Sequence, residues 1–322
     1  MFERGGSRGG ALMHPALWVC VVALGLGACG RASARGPGSS SSLASSSGAP
    51  LVTAAPTNEP PQNPASTIFG RRAAVVGQRY KLTRAEGMQA LMQLNVAGRA
   101  SNGKIDEASL RERQIEILGV DADGRETKVR VSYAEDEHIP AKTVSPVRGK
   151  TYIVTADQDR LTATTGEGKP ITPEEGTVLA IDFEHLGKGE PFHEAIPLTP
   201  LMPGDRIPAL EAAVESSLER AYPKSAHADA KNVKVTFAGR EGSGAAEVGV
   251  FDISLDLTWD AEPVRMQARA TGQARHRIAD RRFVAGTLDS SLTIVPGSTL
   301  PAGSATGSGA AQVAEEATYY SE

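Results

Sequence analysis

Over much of the chain, apolar and polar residues alternate one for one. In FDISLDLTW, Phe251, Ile253, Leu255, Leu257 and Trp259 share one phase, and Asp252, Ser254, Asp256 and Thr258 share the other. Successive side chains of a strand point to opposite faces, so this pattern predicts a strand with one buried and one wet side. Ala90, Met92, Leu94 and Val96 repeat the pattern in QALMQLNV, and Thr127, Val129, Val131 and Tyr133 repeat it again. Asp121-Ala122-Asp123-Gly124 reads as the turn of an antiparallel hairpin, joining that last strand to one carrying Ile115 and Ile117. Short strands are predicted at 152–155 and 161–164, and four more near 231–239, 246–259, 264–276 and 282–295.

The period changes in the middle of the chain. Thr172-Pro173-Glu174-Glu175 is a capping box with proline at the first helical position. The helix it opens carries Leu179, Phe183 and Leu186 on one face and is expected to stop at Gly187. A second helix, from about Pro208 to Ala221, places Leu210, Val214 and Leu218 together and meets Pro223 beyond its end. Several of the strands exceed the usual length of about 5–6 residues. Long antiparallel strands with one apolar face tend to coil. The expected fold is therefore mainly β (α+β): a large curved antiparallel sheet or half-barrel, with about two helices from the middle of the chain in its concavity.

The two ends of the chain break the pattern. In ALGLGACG (Ala23 to Gly30), Gly25, Gly27 and Gly30 have the spacing of a dinucleotide loop, but the Ser/Pro/Gly-rich sequence that follows can supply neither the strand nor the helix such a loop needs. The apolar run from Ala16 to Leu26 falls well short of the roughly 20 residues of a membrane span. With Arg4 and Arg8 before it, the run suits the hydrophobic region of a secretory signal. Residues 1–28 are read as that signal, 29–67 as a disordered Ser/Pro/Gly-rich tether, and 296–322 as a disordered tail of similar character. Between them, residues 68–295 form the β-rich domain.

Leu26-Gly27-Ala28-Cys29 resembles the lipobox of bacterial lipoproteins. The resemblance implies a thioether-linked diacylglyceryl group on Cys29, with Leu26, Gly27 and Ala28 as the signal-peptidase recognition residues. It also implies attachment of the mature chain to a membrane by its acyl chains, palmitate among them. Two or three chains hold a protein stably, whereas one does so only marginally. The segments GQRYKL, GKTYIVT, ITPEE and PLMPGD, with ATGQARHRI and VAGTLDSSLTI after them, are similar in order to a family of secreted bacterial lipoproteins whose domain has no assigned function. More loosely, the chain resembles the curved-sheet lipoprotein carriers of the periplasm, which implies acyl-chain binding within the curve of the sheet.

Charge and composition narrow the options further. A net charge of −4 argues against a nucleic-acid partner, which needs a clustered basic face. Loss of Cys20 with the signal leaves Cys29 as the single cysteine, so no internal disulfide can form. His185 and His193 bracket Asp182, Glu184 and Glu190, but the spacing matches no metal motif. His138 stands in an acidic loop, and His227 and His276 have no neighbours in sequence that could act with them. His185 and His193 are read as solvated loop residues. Asp121 and Asp123 precede a glycine too early for a calcium loop. Asp252 and Asp256 lie about 13 Å apart along one strand face, too far for either glycosidase geometry. Glu211, Glu215 and Glu219 make a stripe at helical spacing, read as solvated. Beyond the signal, the chain contains no G-x-S-x-G elbow and no phosphate loop.

No catalytic, cofactor-binding or metal residue is therefore expected. The functional expectation is a membrane-anchored envelope lipoprotein with a non-enzymatic structural or interaction role, at the outer membrane or the periplasmic face if the organism is diderm. The alternative is a carrier for a lipid or other hydrophobic ligand held in the concavity of the sheet.

Overall fold

A computed structural model describes residues 66–70, 73–96, 98–139, 145–157, 160–221, 227–261 and 263–320. Leu26, Gly27, Ala28 and Cys29, with the signal and nearly all of the tether, lie outside the described residues. So do Pro223 and the side chains of His138 and Glu219.

Ten strands form one sheet. They are β1 (Arg79–Val96), β2 (Arg99–Val120), β3 (Glu126–Ile139), β4 (Thr151–Asp157), β5 (Arg160–Thr165), β6 (Asp229–Glu241), β7 (Val248–Ala261), β8 (Val264–Arg277), β9 (Phe283–Pro296) and β10 (Ala305–Tyr319). Their order is β5-β4-β3-β2-β1-β10-β9-β8-β7-β6, and every neighbouring pair is antiparallel. The sheet is thus two meanders joined where the first strand meets the last.

The expected alternation is present. On β7, Phe251, Ile253, Leu255, Leu257 and Trp259 are buried, while Asp252 is exposed. The turn at Asp121 forms as expected: its Oδ1 accepts from the Asp123 and Arg125 amides, and Gly124 takes φ 78°.

Three expectations are corrected. First, the sheet is open and flat, not curved or closed into a half-barrel. It ends in two edges, β5 and β6, that do not pair with each other. Curvature in long sheets is introduced by bulges. The ladders β1–β2, β1–β10, β10–β9 and β7–β8 run without one, and register shifts occur only in β2–β3, β6–β7 and near Arg275 in β8–β9.

Second, the tail at 296–322 is not disordered throughout. Ala305 to Tyr319 form β10 in the middle of the sheet, paired with β1 from Tyr80↔Tyr319 to Leu94↔Ala305. Third, the domain begins before residue 68: Thr67 exchanges both backbone hydrogen bonds with Leu201 at 2.8 Å, and Phe69 beside it is buried against Phe251.

Because β5 and β6 are opposite edges, the chain between them must traverse one face of the sheet. It does so with α1 (Pro173–Asp182), α2 (Pro191–Ala195) and α3 (Pro208–Ala221). The capping box of α1 forms in both directions, between Thr172 and Glu175. That helix ends at Asp182 rather than running to Gly187, although Phe183 and Leu186 still reach the core. The one-turn α2 occupies a stretch expected to be loop. Its first amides are capped by the Glu190 carboxylate, which accepts from Phe192 and His193.

Candidate functional site

On the face covered by the helices, the inward phase of β1 reads Tyr80, Leu82, Arg84, Glu86, Met88, Ala90. Four of these are buried apolar or aromatic residues, and the middle two are charged. Strand β2 does the same, with Arg113 and Arg111 continuing the phase of Ile117 and Ile115. The register aligns these charges across four strands: Glu315 faces Arg84, Arg84 faces Arg111, and Arg111 faces Asp136. A charged belt therefore crosses the inner face of the sheet.

Two arginines directly opposite one another repel. The fold resolves this by giving each its own carboxylates. Arg84 Nε is 2.5 Å from Glu86 Oε1, while Arg111 reaches Asp136 at 3.1 Å and Asp182 at 2.7 Å. Asp182, the last residue of α1, also meets Arg113 at 3.2 Å and accepts the Tyr133 hydroxyl at 2.6 Å. Burial alone would push the Asp182 carboxyl up, but the charges of Arg111 and then Arg113 outweigh it and hold the group below the usual carboxylate range. Tyr133 moves the other way. Burial, then the adjacent negative charge of Asp182, push its hydroxyl well above the ordinary tyrosine value.

A cleft of about 250 Å³ opens beside the belt, between the sheet and the segment linking α1 to α2. Arg84, Arg113 and Arg281 line it, together with Leu82, Phe183 and Phe283. A second, smaller cavity of about 50 Å³ lies among Leu218, Trp259, Ala270 and Leu292. Between helices and sheet, Leu179, Phe183, Leu210, Val214 and Leu218 are all buried.

The residues singled out from sequence are distributed as follows. His185 is partly buried and lies 3.1 Å from Glu184. His193 is buried rather than solvated, and His276 is buried as well. His276 stacks on Phe192 at 5.2 Å and contacts Phe251 and Phe283, and its Nδ1 is 3.0 Å from the Arg281 carbonyl. A carbonyl can only accept, so Nδ1 carries the proton. His227 is exposed. Glu211 is also buried, not solvated: it receives both Nε and Nη2 of Arg206, at 2.5 and 2.7 Å, and the Val235 amide. Glu215 is exposed, and Asp252 and Asp256 lie on the outer face, bonded to Gln273 and Arg269. Among the described residues, no group of three or more His, Cys, Asp or Glu stands where it could hold a metal ion, and no helix is long and apolar enough to cross a membrane.

The belt itself was not anticipated. Its signal lay in the two places where charges enter an apolar phase, Arg84 with Glu86 and Arg111 with Arg113.

The sequence matches no protein-family model, and no curated protein matches it. Among solved structures it is similar to a DUF1329 family protein from Desulfovibrio piger, with 8% identity over 73% of this chain and 83% of that one, at a TM-score of 0.18. A likeness this slight carries neither fold nor function across.

Proposed function

We propose that the protein is a lipoprotein of the cell envelope, anchored through Cys29, whose sheet domain has a non-enzymatic structural or interaction role. The pairing within the belt is what supports the second part. Asp182 is engaged by Arg111, Arg113 and Tyr133, and Asp136 by Arg111 and the Ser145 hydroxyl. The Asp182 carboxylate, held ionised below its usual range by those guanidiniums, is a poor general acid or base at neutral pH. The belt thus acts as a brace between the sheet and α1. The anchor rests on the lipobox, with the outer membrane as destination in a diderm organism.

Metabolic labelling with palmitate, followed by detergent partition, tests the anchor. Wild-type protein should take the label and enter the detergent phase, and Cys29→Ser should do neither. An unlabelled wild-type chain beginning elsewhere than Cys29 would overturn it. Turnover of chromogenic ester, glycoside or phosphate substrates by the purified domain, lost on substitution within the cleft, would overturn the non-enzymatic reading.

A further inference from the structure

Strand β2 outruns one of its neighbours. Its ladder with β1 continues to Val96↔Arg99 without a register shift, but its ladder with β3 stops at Ala108↔Ile139. Residues 99–107 are therefore bonded on one side, and among the described residues nothing pairs with their other side. The terminal edges of the sheet are better protected. β5 has only 6 residues. β6 is broken by register shifts, and the segment 204–207 bonds to its outer side at Val235 and Phe237. The overhang of β2 has neither a proline nor a bulge. Lysine on an edge normally discourages pairing, but the Lys104 ammonium lies 2.5 Å from Asp106.

Alternate residues of a strand turn their backbone groups to opposite neighbours. Asn95 of β1 donates its amide to Ser304, on the β10 side. The even-numbered residues of β1 therefore bond to the odd-numbered residues of β2, which leaves Ala100, Asn102, Lys104 and Asp106 with amides and carbonyls aimed out of the free edge. The overhang is self-complementary about its midpoint, Gly103. Laid antiparallel against a second copy, Ala100 faces Asp106 and Asn102 faces Lys104, both as hydrogen-bonded pairs. In the other phase Arg99 faces Glu107, Ser101 faces Ile105, and Gly103 meets itself. Neither Arg99 nor Glu107 is ion-paired to another described residue. An axis at Lys104 would instead set two lysines against each other, and one at Asn102 would leave Arg99 facing Ile105.

We propose that the protein forms a two-fold dimer through residues 99–107 of β2, paired antiparallel with the same residues of a second copy. The four bonded pairs, each exchanging two hydrogen bonds, supply about eight between the copies. Arg99 and Glu107 add an opposite-charge pair at each end of the interface. Because the axis passes through the middle of the overhang, the hairpin tip of each copy ends where β3 of the other begins, at Ile139. Gly103 keeps the centre of the inner face clear of side chains, and the half-buried Ile105 of each copy borders it. The dimer goes beyond the anchored, non-enzymatic reading and does not depend on it.

Sedimentation velocity of the full chain carrying Cys20→Ser/Cys29→Ser, which removes both native thiols, tests the proposal across a range of concentrations. A dimer is expected. Arg99→Glu and Glu107→Arg should each weaken it about tenfold, because two attractive pairs become repulsive. The exchange Arg99→Glu/Glu107→Arg should restore it. All three variants should keep the circular dichroism of the parent chain. In the same background, Gly103→Cys should cross-link the two copies, since facing residues of a non-bonded pair have Cα atoms about 4.5 Å apart, within disulfide reach. Ala100→Cys, with its two copies about 20 Å apart along the strands, should not. A monomer at every concentration, a dimer indifferent to the single charge reversals, or equal cross-linking at 100 and 103 would overturn the proposal.

Discussion

Tyr133 donates its hydroxyl to Asp182 across 2.6 Å, tying strand β3 to the last residue of α1. The same carboxylate pairs with Arg111 and Arg113, so its removal takes a counter-charge from both and leaves Arg111 with Asp136. Removing one partner of a buried ion pair costs about 3–5 kcal/mol, more than the pair is worth against apolar replacements. Asp182→Asn should lower the urea-unfolding free energy by that amount. Tyr133→Phe, which removes only one hydrogen bond, should cost about 1–3 kcal/mol. A smaller loss for Asp182→Asn than for Tyr133→Phe would show that the belt is not organised around Asp182.

Acid should weaken the domain through these carboxylates. The folded-state value of Asp182 lies below its unfolded one, so protons bind preferentially to the unfolded chain. Its contribution is complete above the ordinary carboxylate range and is lost as pH falls through the folded value. Glu175 behaves alike. The Lys150 ammonium at 2.7 Å, and then the Thr172 amide, lower its carboxyl from 4.5 to about 2, so its share drains away between those two values. Urea midpoints measured from pH 7 down to pH 2.5 should fall for the wild type, and less steeply for Asp182→Asn.

Two glycines of the sheet should respond oppositely to alanine. A Cβ on Gly272 would stand 1.9 Å from the Thr287 carbonyl oxygen on the adjacent strand, while one on Gly87 would meet nothing within 4 Å. Gly272→Ala should cost about 1–3 kcal/mol through overpacking. Gly87→Ala should be neutral or stabilise by up to about 1 kcal/mol, by restricting the unfolded chain. Paired thermal melts would read both.

Deleting residues 305–322 should abolish cooperative unfolding. β10 fills the place between β1 and β9, and without it both strands become edges in the centre of the sheet. A dispensable tail would leave the thermal midpoint unchanged.

Strands β6 to β9 were legible in the sequence almost to their ends, because large apolar residues such as Phe237, Phe251, Trp259 and Ile294 mark their inward phase. The capping box at Thr172 was equally plain, since it is local. β10 was not legible. Its inward phase is Ala305, Gly307, Gly309, Ala311, Val313, Glu315, Ala317 and Tyr319, too little apolar bulk for periodicity to register. Small residues are needed there because the neighbouring chain is close: a Cβ on Gly309 would lie 2.2 Å from the Gln89 carbonyl oxygen. The tight fit that makes β10 a central strand therefore gave it the composition of a linker. The openness of the sheet was hidden for another reason, since coiling depends on bulges, which a single strand's pattern does not reveal. The site stayed out of sight because its partners are remote in sequence. Arg111 lies on a strand and Asp182 at the end of a helix, and a charge in an apolar phase announces a buried partner without naming it. The same holds for Glu211, whose solvated-looking stripe position conceals a bidentate arginine.

The meeting of β1 with β10 has a consequence for biogenesis. Each meander can zip up from local hairpins, but the two cannot be joined until β10 has been delivered. Contacts between the two ends of a chain are also slow to form. A chain synthesised in this order keeps its middle seam unsewn until β10 is complete, so closure of the sheet is postponed by the order of synthesis itself.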